Sequence, residues 1–251
     1  MLKLMKYEFR KQAFSKLIIL TLVGLLELMF FFGVVSDKEN VIVMSMSLLA
    51  MFTIGALFYL AFESIITYSN DLKQKCSYML FLTPNTSYSI VGAKVLTAGL
   101  QIILAGIIFF AVFALDGGVL ITKYNALAEA KKIIIQALDE FLKLRIDFSD
   151  IVSVVAVVLT SWISTITIAF FSITLSSTFL ENKKFKGVVS FIIFIALNFV
   201  ITKVTRLFLG DIESYTSNLS IYFIWESVIA LLFIVLTYIG TAWMIDKKVS
   251  V

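Results

Sequence analysis

Residues 17–35 read LIILTLVGLLELMFFFGVV, 19 positions in which Glu27 is the only charge. As an α-helix this run is about 28 Å long at 1.5 Å per residue, close to the roughly 30 Å of a bilayer's hydrocarbon core. Five more runs of the same kind follow, at 41–62, 91–115, 151–175, 187–209 and 221–245. A helix closes its backbone hydrogen bonds within itself, as hydrocarbon demands, and the spacing of the runs leaves no room for a barrel's short alternating strands. The sequence therefore predicts an all-α integral membrane protein with six transmembrane helices.

Composition points the same way. Of 251 residues 60% are hydrophobic and 15% charged, against roughly 45–50% and about 25% in soluble domains, which excludes an ordinary soluble globular fold. Six spans leave room for ends, elbows and one sizeable loop, so a single transmembrane domain over 1–251 is expected, without an appended soluble domain. There is no His, one Cys (Cys76) and one Pro (Pro84). Histidine catalysis, His-ligated metal sites and an intramolecular disulfide are thereby ruled out, and no metal site is expected. The net charge of +4 answers first to membrane topology, and no nucleic-acid partner is expected.

Lys and Arg in the short connections and ends set the orientation. Lys3, Lys6, Arg10, Lys11 and Lys16 precede the first run, Lys73, Lys75 and Lys94 flank the second connection, Lys183, Lys184 and Lys186 the fourth, and Lys247 and Lys248 follow the last run. The other side's short connections hold only Lys38, Lys203 and Arg206. Both termini are therefore expected in the cytoplasm of a multi-pass plasma-membrane protein. The first run is too long for a secretory signal and lacks a small-residue cleavage site before Asp37, so it reads as a retained helix.

Between the spans, residues 1–16 form an amphipathic elbow, with Leu2, Met5, Phe9 and Ala13 at helical spacing and Lys3, Lys6 and Arg10 on other faces. Such a helix lies on the inner leaflet, or is a basic flank that only orients the first span. Residues 36–40 only turn, making the first two spans a hairpin. The connection 116–150 is the one large external feature, a helical loop with Leu120, Tyr124, Leu127, Ile134, Leu138 and Phe141 on one stripe. It either rests on the outer leaflet, capping the bundle, or gates an exit path. No internal repeat is evident, and the only Pro lies outside every span, unlike the interrupted helices of inverted-repeat transporters.

The connection between the second and third spans reads ESIITYSNDLKQKCSYMLFLTPNTSYSIVGAK over 63–94. Its first part extends the second span as a helix carrying Asp71, Lys73 and Lys75 into the cytoplasm. Pro84 stops helix after the apolar stretch 78–82, and Asn85, Thr86 and Ser87 offer caps for the next helix. The product is a compact knob of mixed apolar and charged side chains, fitted to dock on a soluble partner, or else packed only against its own bundle.

In order, Glu63, Asp71, Leu80, Leu82, Thr83, Pro84, Gly92 and Lys94 resemble the motif of the permeases of ABC-2 type exporters, also called type V. These carry a Glu after the second span, then an acidic residue, a leucine-rich stretch ending in Thr-Pro, and Gly-x-Lys as the third span begins. The motif covers about 30 residues, and the six-span plan and amphipathic N-terminus extend the likeness loosely along the chain. The resemblance implies that residues 63–90 form a cytoplasmic coupling loop whose coupling helix seats in a separate nucleotide-binding ATPase subunit, with Asp71, Leu72, Lys73, Lys75, Tyr78 and Met79 as contacts. It implies two permease chains, identical or paired as a heterodimer, and cargo passing between them. Bacterial exporters of this look move amphipathic peptides, and the chain resembles the phenol-soluble-modulin exporter group; lipids and hydrophobic drugs are the other cargoes. Many members place their large external insertion between the fifth and sixth spans, not the third and fourth, so the form of the exit gate does not carry over.

None of the 11 glycines begins a G-x-x-x-x-G-K-S/T phosphate loop, so ATP and Mg would be bound by the partner ATPase and no cofactor by this chain. No bond chemistry is expected of it. Glu27, in mid-span, costs on the order of 2.5–3.5 kcal/mol on insertion scales, so it faces a translocation path for cationic or amphipathic cargo, or is buried between helices. Glu226 is expected to pair with Lys203 or Arg206, or these snorkel to water. Three rival functions remain. An ion-coupled secondary transporter would use Glu27. An intramembrane hydrolase would need a Ser or Thr nucleophile with Lys or Glu, for which no spaced motif appears. The third is a noncatalytic membrane anchor.

Overall fold

The computed structural model describes residues 1–73, 86–123, 148–179, 185–210 and 219–247. They form helices α1 (Leu2–Lys11), α2 (Ala13–Val35), α3 (Glu39–Lys73), α4 (Ser87–Lys123), α5 (Phe148–Phe179), α6 (Lys186–Leu209) and α7 (Leu219–Lys247), with no strand among the described residues. All but α1 are long and apolar enough to cross a membrane, at the six places where the apolar runs lie. The chain is a helical, multi-pass membrane protein. At 35 and 37 residues, α3 and α4 are about 52 and 55 Å long, some 20 Å more than hydrocarbon requires. The surplus of α3 carries Glu63 and Asp71 past the apolar run, as the charge pattern of 63–75 requires.

Two compact units divide the chain. The first comprises Met1–Glu8, Ala61–Gly99 and Asp147–Val251. Here α5 packs most extensively along α7 and next along α6. At Gly240 of α7 a Cβ would lie 2.7 Å from the Phe171 ring, so the bare backbone is what lets α5 and α7 close, as small residues do between membrane helices. The interior is hydroxyl-rich: Thr167, Ser172, Thr174 and Thr241 are buried, each donating to a carbonyl three or four residues back. Phe191, Leu207 and Trp225 point outward. Polar groups inside and large apolar ones outside are the arrangement a lipid solvent selects.

The second unit comprises Phe9–Leu60 and Leu100–Ile146. The turn after α2 places Asp37 at φ 51° and folds α2 and α3 into the expected hairpin. One apolar cluster joins Val23, Ala56 and Phe109 with Ile19, Phe52 and Val112 around them; a second joins Phe30, Val34 and Ile42 with Met46, Val119 and Leu120. Numbers on α2 and α4 rise together from one cluster to the other, so these helices run parallel while α3 runs against them. Lys123 closes this end by pairing with Asp37 at 2.6 Å.

Two boundaries differ from expectation. The N-terminal amphipathic segment is not one helix over 1–16: the backbone breaks at Gln12 (φ −102°, ψ 8°), and its most buried members are Glu8 and Gln12, whereas Leu2 is 81% exposed. The third span also continues past Leu115 to Lys123, because Val119 and Leu120 still find apolar partners on α2. The rest of the expected external helical loop, including Tyr124, Leu127, Ile134, Leu138 and Phe141, lies outside the described residues up to the start of α5.

Candidate functional site

The start of α4 is set by Thr86, whose hydroxyl oxygen accepts the Ser89 N–H at 3.3 Å. That is the N-cap position that the run of Asn85, Thr86 and Ser87 offered. Two turns into the helix stands Lys94, 6% exposed. Its ammonium donates to Glu8 Oε1 of α1 at 2.5 Å and to Asp71 Oδ2 of α3 at 2.5 Å. Both carboxylates are buried as well. One cation thus ties three helices together, and all three residues belong to the first unit. Charge-assisted bonds of this length are the strong ones, and burial shields them from salt.

The surroundings hold that arrangement in place. Gly92 lies where a Cβ would stand 2.5 Å from Met1 Cε and 3.2 Å from the Tyr238 hydroxyl. Its lack of a side chain leaves room for the Tyr238 hydroxyl and the flexible end of the Met1 side chain. Tyr238 donates to the Tyr88 carbonyl at 2.9 Å, and the Ser87 hydroxyl to Asp246 at 3.4 Å, fastening α7 to the same turn. One turn before Asp71, Tyr68 is fully buried, hydrogen-bonded to Thr174 and stacked on Phe170 with ring centroids 4.1 Å apart, which holds α3 to α5. Glu63, two turns before Asp71 on the same face of α3, is also buried.

Of the residues drawn from the family motif, Asp71 and Lys94 therefore meet, Gly92 lies against Met1 and Tyr238 two residues before Lys94, and Glu63 lies on the same face of α3 as Asp71. Asp71 is enclosed and held by Lys94, whereas the resemblance implied a contact surface. Leu72 is half-buried and Lys73 is the last residue of α3. Lys75, Tyr78, Met79, Leu80, Leu82, Thr83 and Pro84 lie outside the described residues. Glu8 escaped the sequence reading. The available signal was its position as the only acid in the first 26 residues, one turn after Leu4 and Met5 on a helix that otherwise carries only basic charge.

Glu27 lies in the second unit, and the residue it faces is Asp116 of α4. On α2 it falls between Val23 and Phe30; on α4, Asp116 falls between Val112 and Val119, so the two apolar clusters bracket the pair. Asp116 escaped notice because Asp-Gly-Gly reads as the start of a loop. Nearer the start of α2, Gln101 donates to Gln12 at 2.7 Å and Lys16 to the same amide oxygen at 3.1 Å. An open apolar groove of about 680 Å³ runs between α2 and α3, lined by Ile19, Leu22, Leu26, Leu48, Phe52 and Tyr59 among others.

The expected pairing of Glu226 with Lys203 or Arg206 is not formed: Lys203 instead lies over the Phe199 ring at 5.7 Å. Nearness to the same end of two antiparallel helices does not put side chains on facing sides. Among the described residues no three His, Cys, Asp or Glu side chains gather as a metal-ligand set. Comparison with models of known protein families, with curated proteins and with solved structures returns no match.

Proposed function

We propose that the chain is the permease subunit of an ATP-driven exporter of the ABC-2 type, moving amphipathic or hydrophobic cargo, peptide in the first place, outward across the plasma membrane. A separate ATPase subunit docks on the cytoplasmic connection between α3 and α4, and a second permease chain, identical or related, completes the path. The observation that carries this reading is the Glu8–Lys94–Asp71 group. It locks the two helices that flank the connection to each other and to α1, so a push delivered between them moves all three together instead of bending one. Asp71 then serves as the latch behind the docking surface, and Leu72, Lys73, Lys75, Tyr78 and Met79 as its contacts.

Purification of the tagged chain from its native membrane tests this. A soluble chain bearing a phosphate loop should accompany it, and Lys75→Glu with Tyr78→Ala should loosen that association. Lys94→Met should leave ATP hydrolysis running while cargo efflux falls. Absence of any ATPase from the native complex would overturn the reading. A second reading, ion-coupled secondary transport, is favoured by Glu27 facing Asp116 inside the membrane spans. Its flux would collapse with an uncoupler and ignore the loss of an ATPase.

A further inference from the structure

Two carboxyls meet inside the spans of the second unit, and no cation among the described residues pairs with them. Asp116 is 1% exposed, and its Oδ1 has no hydrogen-bond partner; the same holds for Glu27 Oε1. Charged and titratable groups on the surrounding elements are few. Besides Glu27, α2 carries only Lys16, eleven residues away. Residues 39–60 of α3 carry Glu39 at the far end and Tyr59. Residues 100–123 of α4 carry Asp116 and Lys123. Lys123 lies about 10 Å further along the helix and is engaged by Asp37. The hydroxyls of Ser45 and Thr53 on α3 donate to carbonyls of their own helix.

Two negative charges side by side in this setting repel strongly and are poorly solvated, so the pair requires a positive species, and no described side chain supplies it. A metal ion needs more oxygen ligands than two side chains supply, and no third acid joins them among the described residues. Two carboxyls within hydrogen-bonding reach need only one proton to bind each other. We infer that Glu27 and Asp116 form a proton-binding carboxyl pair that holds one shared proton at neutral pH. The assignment stands whether ATP or an ion gradient drives the chain.

Infrared spectroscopy of the full chain in lipid nanodiscs tests it. The difference between the wild type and the Glu27→Gln, Asp116→Asn double variant should contain the C=O stretch of one protonated carboxyl per chain, shifted by deuterium exchange, and one carboxylate. If the double variant fails to fold, carbon-13 labelling of Glu and Asp side chains in the unmodified chain gives the same readout: the protonated band should shift with label and persist as sodium and potassium are raised at fixed pH. Two carboxylates and no protonated band at neutral pH would overturn the inference. So would replacement of the protonated band by carboxylate on adding either alkali cation, which would make the metal ion the occupant.

Discussion

Each unit buries acidic side chains, and the two solve the problem differently. In the first, Glu8 and Asp71 converge on Lys94, an ammonium carried by a third helix. In the second, Glu27 and Asp116 converge on each other, with the nearest cation on their helices bound elsewhere. The cost of a buried acid is thus set less by depth than by whether the sequence supplies the opposite charge on a facing helix. Where it does, the group acts as a mechanical tie among helices. Where no described residue does, as at Glu27 and Asp116, carboxyl oxygens are left without a hydrogen-bond partner.

Removing Lys94 attacks that contrast most directly. Lys94→Met leaves two enclosed carboxylates without their ammonium and should destabilise the chain by about 3–5 kcal/mol, read as a lowered thermal unfolding midpoint in detergent. Adding Glu8→Gln and Asp71→Asn should restore most of the loss, because the penalty comes from orphaned charge and not from missing volume. A Lys94→Met chain as stable as the wild type would show that the three-helix tie contributes nothing.

A neutral bond in the same unit calibrates the charged one. Tyr68→Phe keeps the ring stacked on Phe170 and removes only the hydroxyl bonded to Thr174. The expected cost is about 1 kcal/mol, well below that of Lys94→Met. Thr174→Val also loses the hydroxyl's donation to the Phe170 carbonyl and should cost somewhat more, and the two together should cost little more than Thr174→Val alone, since the bond they share is lost once. Glu27→Gln should be milder still, within about 1 kcal/mol, because the amide keeps the shape and can donate to Asp116. A loss as large as that of Lys94→Met would mean that Glu27 holds a cation after all, and the contrast between the units would vanish.

The spans were legible because an apolar run of about 20 residues has one meaning in a chain with so little charge. The cap at Thr86 was legible because capping is local chemistry. The partners were not. Lys94 and Asp71 lie 23 positions apart and Lys94 and Glu8 lie 86 apart, and nothing in helical spacing says which faces meet across three helices. Asp116 was hidden by local propensity: Gly117 and Gly118 each cost a helix about 1 kcal/mol. That preference loses to the burial of Val119 and Leu120 against α2. The break at Gln12 carries no Gly or Pro to announce it.

The Asp37–Lys123 pair offers the smallest effect and the cleanest control on what burial contributes. It joins opposite charges at 2.6 Å, nearly the separation in the Lys94 group, yet its side chains are 30% and 70% exposed for Lys123 and Asp37 respectively. Water screens such a pair and its side chains lose entropy in forming it, so Lys123→Gln should cost about 0–1 kcal/mol, shrinking further as salt is raised. The loss in Lys94→Met should change little over the same salt range, because its carboxylates are removed from solvent. Melting both variants at low and high salt therefore separates length of contact from enclosure: equal salt dependence would place the Lys94 group in contact with water and remove it as a rigid tie between α1, α3 and α4.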